Sequence, residues 1–209
     1  MNHIMLDIET LGDVSGSIIT SIGAVQFDIN TGETGKEFHK YIDIQSSYEA
    51  GLKMNPSTVL WWLGQTDEAR QGLINGNKQG LPIVNALHEF GQWLSWCPKP
   101  ITRDFYKPRD LYTWGRGPRF DMGILADAYR KLNLPIPWDT RREMCVRTME
   151  FLHPDIKKGT PTVDTGHGSN GMGLHDAILD CKYQIRYVCG IYKETQANKQ
   201  LQSFLNQPQ

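Results

Sequence analysis

The sequence predicts an α/β protein whose single mixed sheet has five strands, three antiparallel and then parallel ones, with helices on both faces. Two observations lead there. Three strand-like segments follow one another at the N-terminus with only turn chemistry between them, the pattern of an antiparallel meander. The later strand-like segments are each separated by stretches of helical periodicity, which is how parallel neighbours are connected.

In the first strand, Ile4-Met5-Leu6-Asp7-Ile8-Glu9-Thr10, alternation puts Ile4, Leu6 and Ile8 on one face and Asp7 and Glu9 on the other. A Gly- and Ser-containing loop, 11–17, leads to a second strand over 18–27. Gly23 in its middle marks a bulge or a close backbone approach. Asp28-Ile29-Asn30-Thr31-Gly32 is turn chemistry, and 37–43 returns as the third strand. Asn55-Pro56 opens a helix as N-cap and first helical residue, carrying Leu60, Trp61, Trp62 and Leu63 until Gly64 stops it. Thr66-Asp67-Glu68 begins another, short helix, with 72–80 expected as a polar linker. Helical spacing of Ile83, Val84, Leu87, Phe90 and Leu94 predicts a core-packing helix over 81–96 that ends before Pro98 and Pro100.

A fourth strand is expected over 110–114, running through the sheet interior. The turn Gly115-Arg116-Gly117-Pro118 leads from it to Asp121 and a helix through Leu132. Residues 142–148 read as a fifth strand and 155–173 as a loop. The last helix covers 175 to about 192, with Ala177, Ile178, Cys181, Ile185, Val188 and Cys189 as its apolar stripe. A Gln- and Asn-rich tail follows from Lys193, whose Leu201, Phe204 and Leu205 could dock on the domain or on a partner subunit.

At 209 residues the chain is one ordinary domain with enough core to need no staples. No apolar run is long enough to cross a bilayer, and an acid at position 7 interrupts any signal-peptide core. The expectation is therefore a cytoplasmic protein with no membrane partner. The four cysteines form no Cys-x-x-Cys pair and are expected as free thiols. A formal net charge of −1 argues against coating nucleic acid by overall basicity. Locally the balance differs. Between Lys99 and Arg119 stand six basic residues, Lys99, Arg103, Lys107, Arg109, Arg116 and Arg119, against Asp104 and Asp110. Phe105, Tyr106, Tyr112 and Trp114 interleave with them, a combination suited to single-stranded nucleic acid as well as to a solvated loop.

Asp7 and Glu9 at the end of a buried strand need cationic company, because an unpaired buried carboxylate is costly. Asp121 begins a helix after the fourth strand and Asp180 lies one turn into the last. Such a sheet can bring all four together. Four acids in one cleft would repel unless hard cations neutralised them, which makes Mg2+ or Mn2+ the natural occupants and two-metal phosphoryl chemistry their natural use.

Asp7-Ile8-Glu9-Thr10, Phe120-Asp121 with Ile124-Leu125, and His175-Asp176-Ala177-Ile178-Leu179-Asp180 resemble, in order, the three exonuclease motifs of the DEDDh superfamily, the DnaQ-like 3'-5' exonucleases of RNase H-like fold. Four further segments narrow the resemblance: Ile22-Gly23-Ala24-Val25, Leu60-Trp61-Trp62-Leu63 with Gln65 and Arg70, Trp114-Gly115, and Arg147-Thr148. They are similar to the DexA-like exonucleases of phages and prophages and to related bacterial exoribonucleases. The resemblance implies an exonuclease domain over 1–192 and a polar tail over 193–209.

It further implies a catalytic set of Asp7, Glu9, Asp121, Asp180 and His175. Asp7 would bridge two ions, Glu9 and Asp180 complete the first ion's shell, Asp121 hold the second, and His175 take the proton of the attacking water. A nucleoside 5'-monophosphate would leave. The tyrosine variant of the superfamily needs Tyr where this chain has Asp176, itself expected as a helix-start residue, and His167 is a competing base. Substrate contacts are expected from Thr10 and Leu11, from Trp114 and Arg116, and from Trp62. Trp61 and Trp62 lie about 100° apart on a helix, so one is expected in the core and the other as a base platform, unless both pack. The implied partner is a single-stranded DNA or RNA 3' end, with the phage-type segments tilting toward DNA, and a homodimer fits by family analogy. A non-catalytic nucleic-acid-binding module on the same fold is the alternative.

Overall fold

In the computed structural model, residues 1–95, 111–117, 119–154 and 175–205 are described, the side chains of 201–205 excepted. The basic and aromatic residues from Lys99 to Asp110, Cys97, His167, and the loop over 155–173 lie outside the described residues, as do the side chains of Leu201, Phe204 and Leu205.

Five strands form one sheet in the order β3-β2-β1-β4-β5. β1 (His3–Thr10) pairs antiparallel with β2 (Ile19–Phe27), and β2 with β3 (Thr34–Tyr41). On the other side, β1 pairs parallel with β4 (Tyr112–Gly115) and β4 with β5 (Glu143–Cys145). This is the predicted mixed sheet with β1 at its centre. The turn between β2 and β3 is held by Asp28, whose Oδ1 accepts the backbone N–H groups of Asn30 and Thr31.

The alternation of β1 sorts its side chains into two cores. Ile4, Leu6 and Ile8 join Trp62, Leu87, Phe90, Ile124 and Leu125 on one face. Met5 points to the other, with Val25, Phe27, Cys181, Ile185 and Val188. Asp7 and Glu9 share the face of Met5. Burying apolar groups on both sides of one strand anchors β1 firmly, at roughly 25 cal/mol for each Å² removed from water.

Seven helices are described. Asp43 caps α1 (Ile44–Glu49), a helix the sequence pattern did not announce. α2 (Pro56–Leu63) is capped by Asn55 and stopped by Gly64 as predicted. α3 (Asp67–Gln79) runs through the expected polar linker, because Ala69 and Gly76 are buried and Leu73 packs on the core. Gly76 lies so close to the Tyr41 ring that a Cβ would collide with it. One narrow packed face sustains a helix that is otherwise polar. α4 (Ile83–Ser95) and α5 (Asp121–Lys131) follow prediction to within two residues.

The expected fifth strand over 142–148 is corrected. Only Glu143–Cys145 extends, and α6 (Val146–Leu152) begins at once. Val146 and Met149, three apart, both face the second core, which a helical period allows and an alternating one does not. α7 (Ala177–Leu205) is longer than predicted. Beyond Tyr192, Lys193 Nζ donates to the Thr31 carbonyl at 3.0 Å and Thr195 Oγ1 lies 3.2 Å from His153 Nε2, so the first turn of the tail is tied to the body. Cys145, Cys181 and Cys189 are free thiols, and among the described residues no helix is long and apolar enough to cross a membrane.

α7 crosses β1 and β2 in tight contact at Gly23. Gly23 on β2, paired with Asp7 across the ladder, faces Ala177; a Cβ there would lie 2.6 Å from the Ala177 Cβ and 2.7 Å from its carbonyl carbon. The close approach read from Gly23 is thus real, and no bulge occurs at it. Cys181 Sγ, one turn on, contacts the carbonyl oxygens of Met5 and Gly23 at 3.4 and 3.6 Å. This contact brings the start of α7 over the acidic end of β1.

Candidate active site

Asp7 and Glu9 leave β1 on one face, and Asp180 comes down on them from the first turn of α7. One carboxylate oxygen from each lies within 4.8 Å of the others. Burial pushes the Asp7 and Glu9 carboxyls well above the usual carboxylate range. Repulsion adds to it, on Asp7 from Asp121, Glu9 and Asp180, and on Glu9 from Asp180, Asp121 and Asp176. Gln184, one turn beyond Asp180, donates its Nε2–H to Asp7 Oδ1 at 2.9 Å and partly offsets this. All donors in the cluster are hard oxygens, and their repulsion is what a divalent cation relieves. The residues therefore fit Mg2+- or Mn2+-type ions.

Asp121 stands outside this trio of carboxylates. It is buried, with Oδ1 accepting the Ile8 N–H at 3.4 Å and Oδ2 the Arg116 N–H at 2.9 Å. Burial raises its carboxyl to about 7, against the pull of those N–H groups and of the Arg147 guanidinium. Gly115 makes the position possible, since a Cβ there would sit 3.0 Å from Asp121 Oδ2.

The trio floors an open cleft of about 510 Å³ that Thr10, Trp61, Trp62, Phe120 and His175 also line. His175, with φ of 46°, precedes α7 in a left-handed conformation uncommon for a residue with a side chain. Its ring meets both Trp61 and Trp62 edge-on, with centroids 4.7 and 5.4 Å away, and its Nε2 is 3.3 Å from Gln65 Oε1. Behind it a second cavity of about 190 Å³ reaches Thr20, His39 and Tyr41. Asp176 accepts the N–H groups of Ile178 and Leu179 and so caps α7, the helix-start role expected of it.

The residues expected to meet substrate separate. Thr10 lines the cleft, though its hydroxyl is engaged with the Gly12 carbonyl at 2.6 Å. Leu11 is 5% exposed and packs in the first core. Trp62 is corrected as the platform. It is buried and its indole N–H donates to the Thr10 carbonyl at 2.8 Å, whereas Trp61 is 46% exposed at the cleft. The sequence left the choice between Trp61 and Trp62 open, because the angle between adjacent helical residues does not say which one faces inward. Trp114 is corrected too. It belongs to the second core, with its N–H on His3 Nδ1 at 2.9 Å. Arg116 does not line the cleft; its guanidinium pairs with Glu150 at 3.4 Å and its backbone N–H serves Asp121. The reading of the sequence passed over Gln184, whose signal is its i+4 spacing from Asp180, and left Gln65 without a role.

A mixed sheet of this order, with acids from its central strand and last helix under an imidazole, defines the DnaQ-like class of 3'-5' exonucleases. The chain belongs to the Rv2179c-like family, described as a 3'-5' exoribonuclease domain, whose profile matches residues 2–192. It is 22% identical to an exodeoxyribonuclease of Enterobacteria phage T4 over 221 aligned positions, covering 91% of this chain and 92% of that one. Among solved structures it is similar to exonuclease I of Methylocaldum szegediense (15% identity, TM-score 0.58, 93% of this chain). It is also similar to E. coli exonuclease I in complex with a dT13 oligonucleotide (12% identity, TM-score 0.57, 97% of this chain). The chain spans 41% and 43% of those two proteins, and the likeness is one of fold.

Proposed function

We propose that this 3'-5' exonuclease hydrolyses single-stranded nucleic acid from the 3' end, DNA in preference to RNA, releasing nucleoside 5'-monophosphates with two divalent cations, Mg2+ or Mn2+, per site. The observation that carries this reading is the trio of carboxylate oxygens within 4.8 Å of one another beneath His175. Asp7, Glu9 and Asp180 would hold one cation and Asp121, with Asp7, the other; bound there, the ions would supply charge neutralisation at the phosphate and at the departing 3'-oxygen. Gln184 keeps the Asp7 carboxylate turned into the cleft. His175 accepts the proton of the water whose oxygen attacks phosphorus, as the bond to the 3'-oxygen breaks. Trp61 offers its open face to a base, and Trp62 fixes the Thr10 carbonyl beside the terminal sugar. Residues 1–192 make up the catalytic unit, and 193–209 are its polar tail.

The phage relative's name, exodeoxyribonuclease, and the dT13 ligand of the E. coli structure support DNA. The family's description supports a second reading, an exoribonuclease. Matched 3'-labelled DNA and RNA oligonucleotides decide between them, with Mg2+ and then Mn2+. Chelator, Asp7→Asn and His175→Ala are each expected to abolish mononucleotide release while circular dichroism stays unchanged. Hydrolysis that persists in both variants, or tight DNA binding without turnover in the wild type, overturns the proposal.

A further inference from the structure

Gln65 lies in the loop between α2 and α3 and is 9% exposed. Its amide has two neighbours of known character. Nε2 is 3.1 Å from the Trp61 carbonyl oxygen, which can only accept, and Oε1 is 3.3 Å from His175 Nε2. Turning the amide over would set Oε1 against the Trp61 carbonyl, acceptor against acceptor, so the orientation is determined by the backbone. Oε1 then faces the imidazole as an acceptor, and His175 Nε2 must carry the hydrogen. We infer that Gln65 is the positioning residue of His175: it fixes the neutral imidazole as the Nε2–H tautomer and leaves Nδ1 as the nitrogen that takes the proton.

The loop that carries Gln65 is itself clamped. Arg70 Nη1 donates to the Gln65 carbonyl and, at 2.9 Å, to that of Leu63, while Trp61 and Trp62 confine the imidazole edge-on. The Leu60-Trp61-Trp62-Leu63, Gln65 and Arg70 segment is thus one device: two ring walls, one acceptor and one guanidinium that holds the acceptor's backbone. The arrangement also serves the protonated state. Once Nδ1 has gained a proton the ring is cationic, and Oε1 accepts from its Nε2–H more strongly than before.

This inference rests on His175 acting as the base. Nitrogen-detected NMR of the metal-free wild type, at a pH where the imidazole is neutral, reads the tautomer directly and is expected to show Nε2–H; a proton on Nδ1, or exchange between the two forms, overturns the assignment. Gln65→Leu removes the acceptor and is expected to give mixed tautomers and to lower kcat about tenfold, roughly one hydrogen bond, with KM within twofold. If Gln65→Leu turns over like wild type while His175→Ala is inactive, Gln65 has no such role. If His175→Ala itself is active, the general-base reading fails instead, and the tautomer still reports whether Gln65 holds the ring.

Discussion

Trp61 and Trp62 are neighbours with opposite duties, and single substitutions should separate them. Trp62 fills the core and its N–H satisfies the Thr10 carbonyl. Trp62→Ala is therefore expected to destabilise the fold by about 3–5 kcal/mol, read as a lower midpoint in denaturant. Trp61 is half open at the cleft. Trp61→Ala should leave that midpoint nearly unchanged and raise KM for a single-stranded oligonucleotide several-fold, since stacking on an aromatic ring contributes about 1–3 kcal/mol per base. Equal KM for Trp61→Ala and wild type would exclude the platform. The sequence carried the pair but not their division of labour. By contrast, the common face of Asp7 and Glu9 was legible, because a strand period of two needs no tertiary information. Gln184 was not, since its partner lies 177 positions away and only the docked helix brings them together.

Among the elements, α7 depends on one glycine for its seat. The missing Cβ of Gly23 lets Ala177 settle on the ladder opposite Asp7. Gly23→Ala must push the first turn of the helix away from backbone that has nowhere to go, so stability is expected to fall by about 1–3 kcal/mol. Activity should fall further than stability does, because Asp180 and His175 move with that turn. A crystal structure of Gly23→Ala with α7 unmoved would refute the argument. The other elements teach where patterns mislead. α2 announced itself with a cap and a stop, and its bounds match. α3 announced its start at Thr66 but not its extent, and α6 did not announce itself, since each is held by a few isolated packed residues, a signal too sparse to stand out from a loop or a short strand.

For the molecule as a whole, the acidic site opposes folding. Asp7, Glu9 and Asp121 all bind protons more tightly in the folded chain than in the unfolded one, chiefly because they are buried. The native state then holds the extra protons, and stability must fall as pH rises, between roughly 4 and the value of about 7 to which Asp121 is raised. Scanning calorimetry of the chelator-treated protein is expected to show a lower Tm at pH 8 than at pH 5. Mn2+ should raise Tm more at pH 8 than at pH 5, because binding to the native state alone stabilises it. Asp7→Asn should raise Tm of the metal-free protein at pH 8. A Tm independent of pH and of Mn2+ would show that the carboxylates are not strained against one another.

Two acids of the cluster come from β1 and the third from α7, which also follows the imidazole. Without α7 the sheet would keep Asp7, Glu9 and Asp121 but lack Asp180 and, on the proposed mechanism, could not complete the first cation's shell. Proteolytic loss of that helix is therefore expected to leave a fragment that no longer releases mononucleotides from a 3'-labelled oligonucleotide.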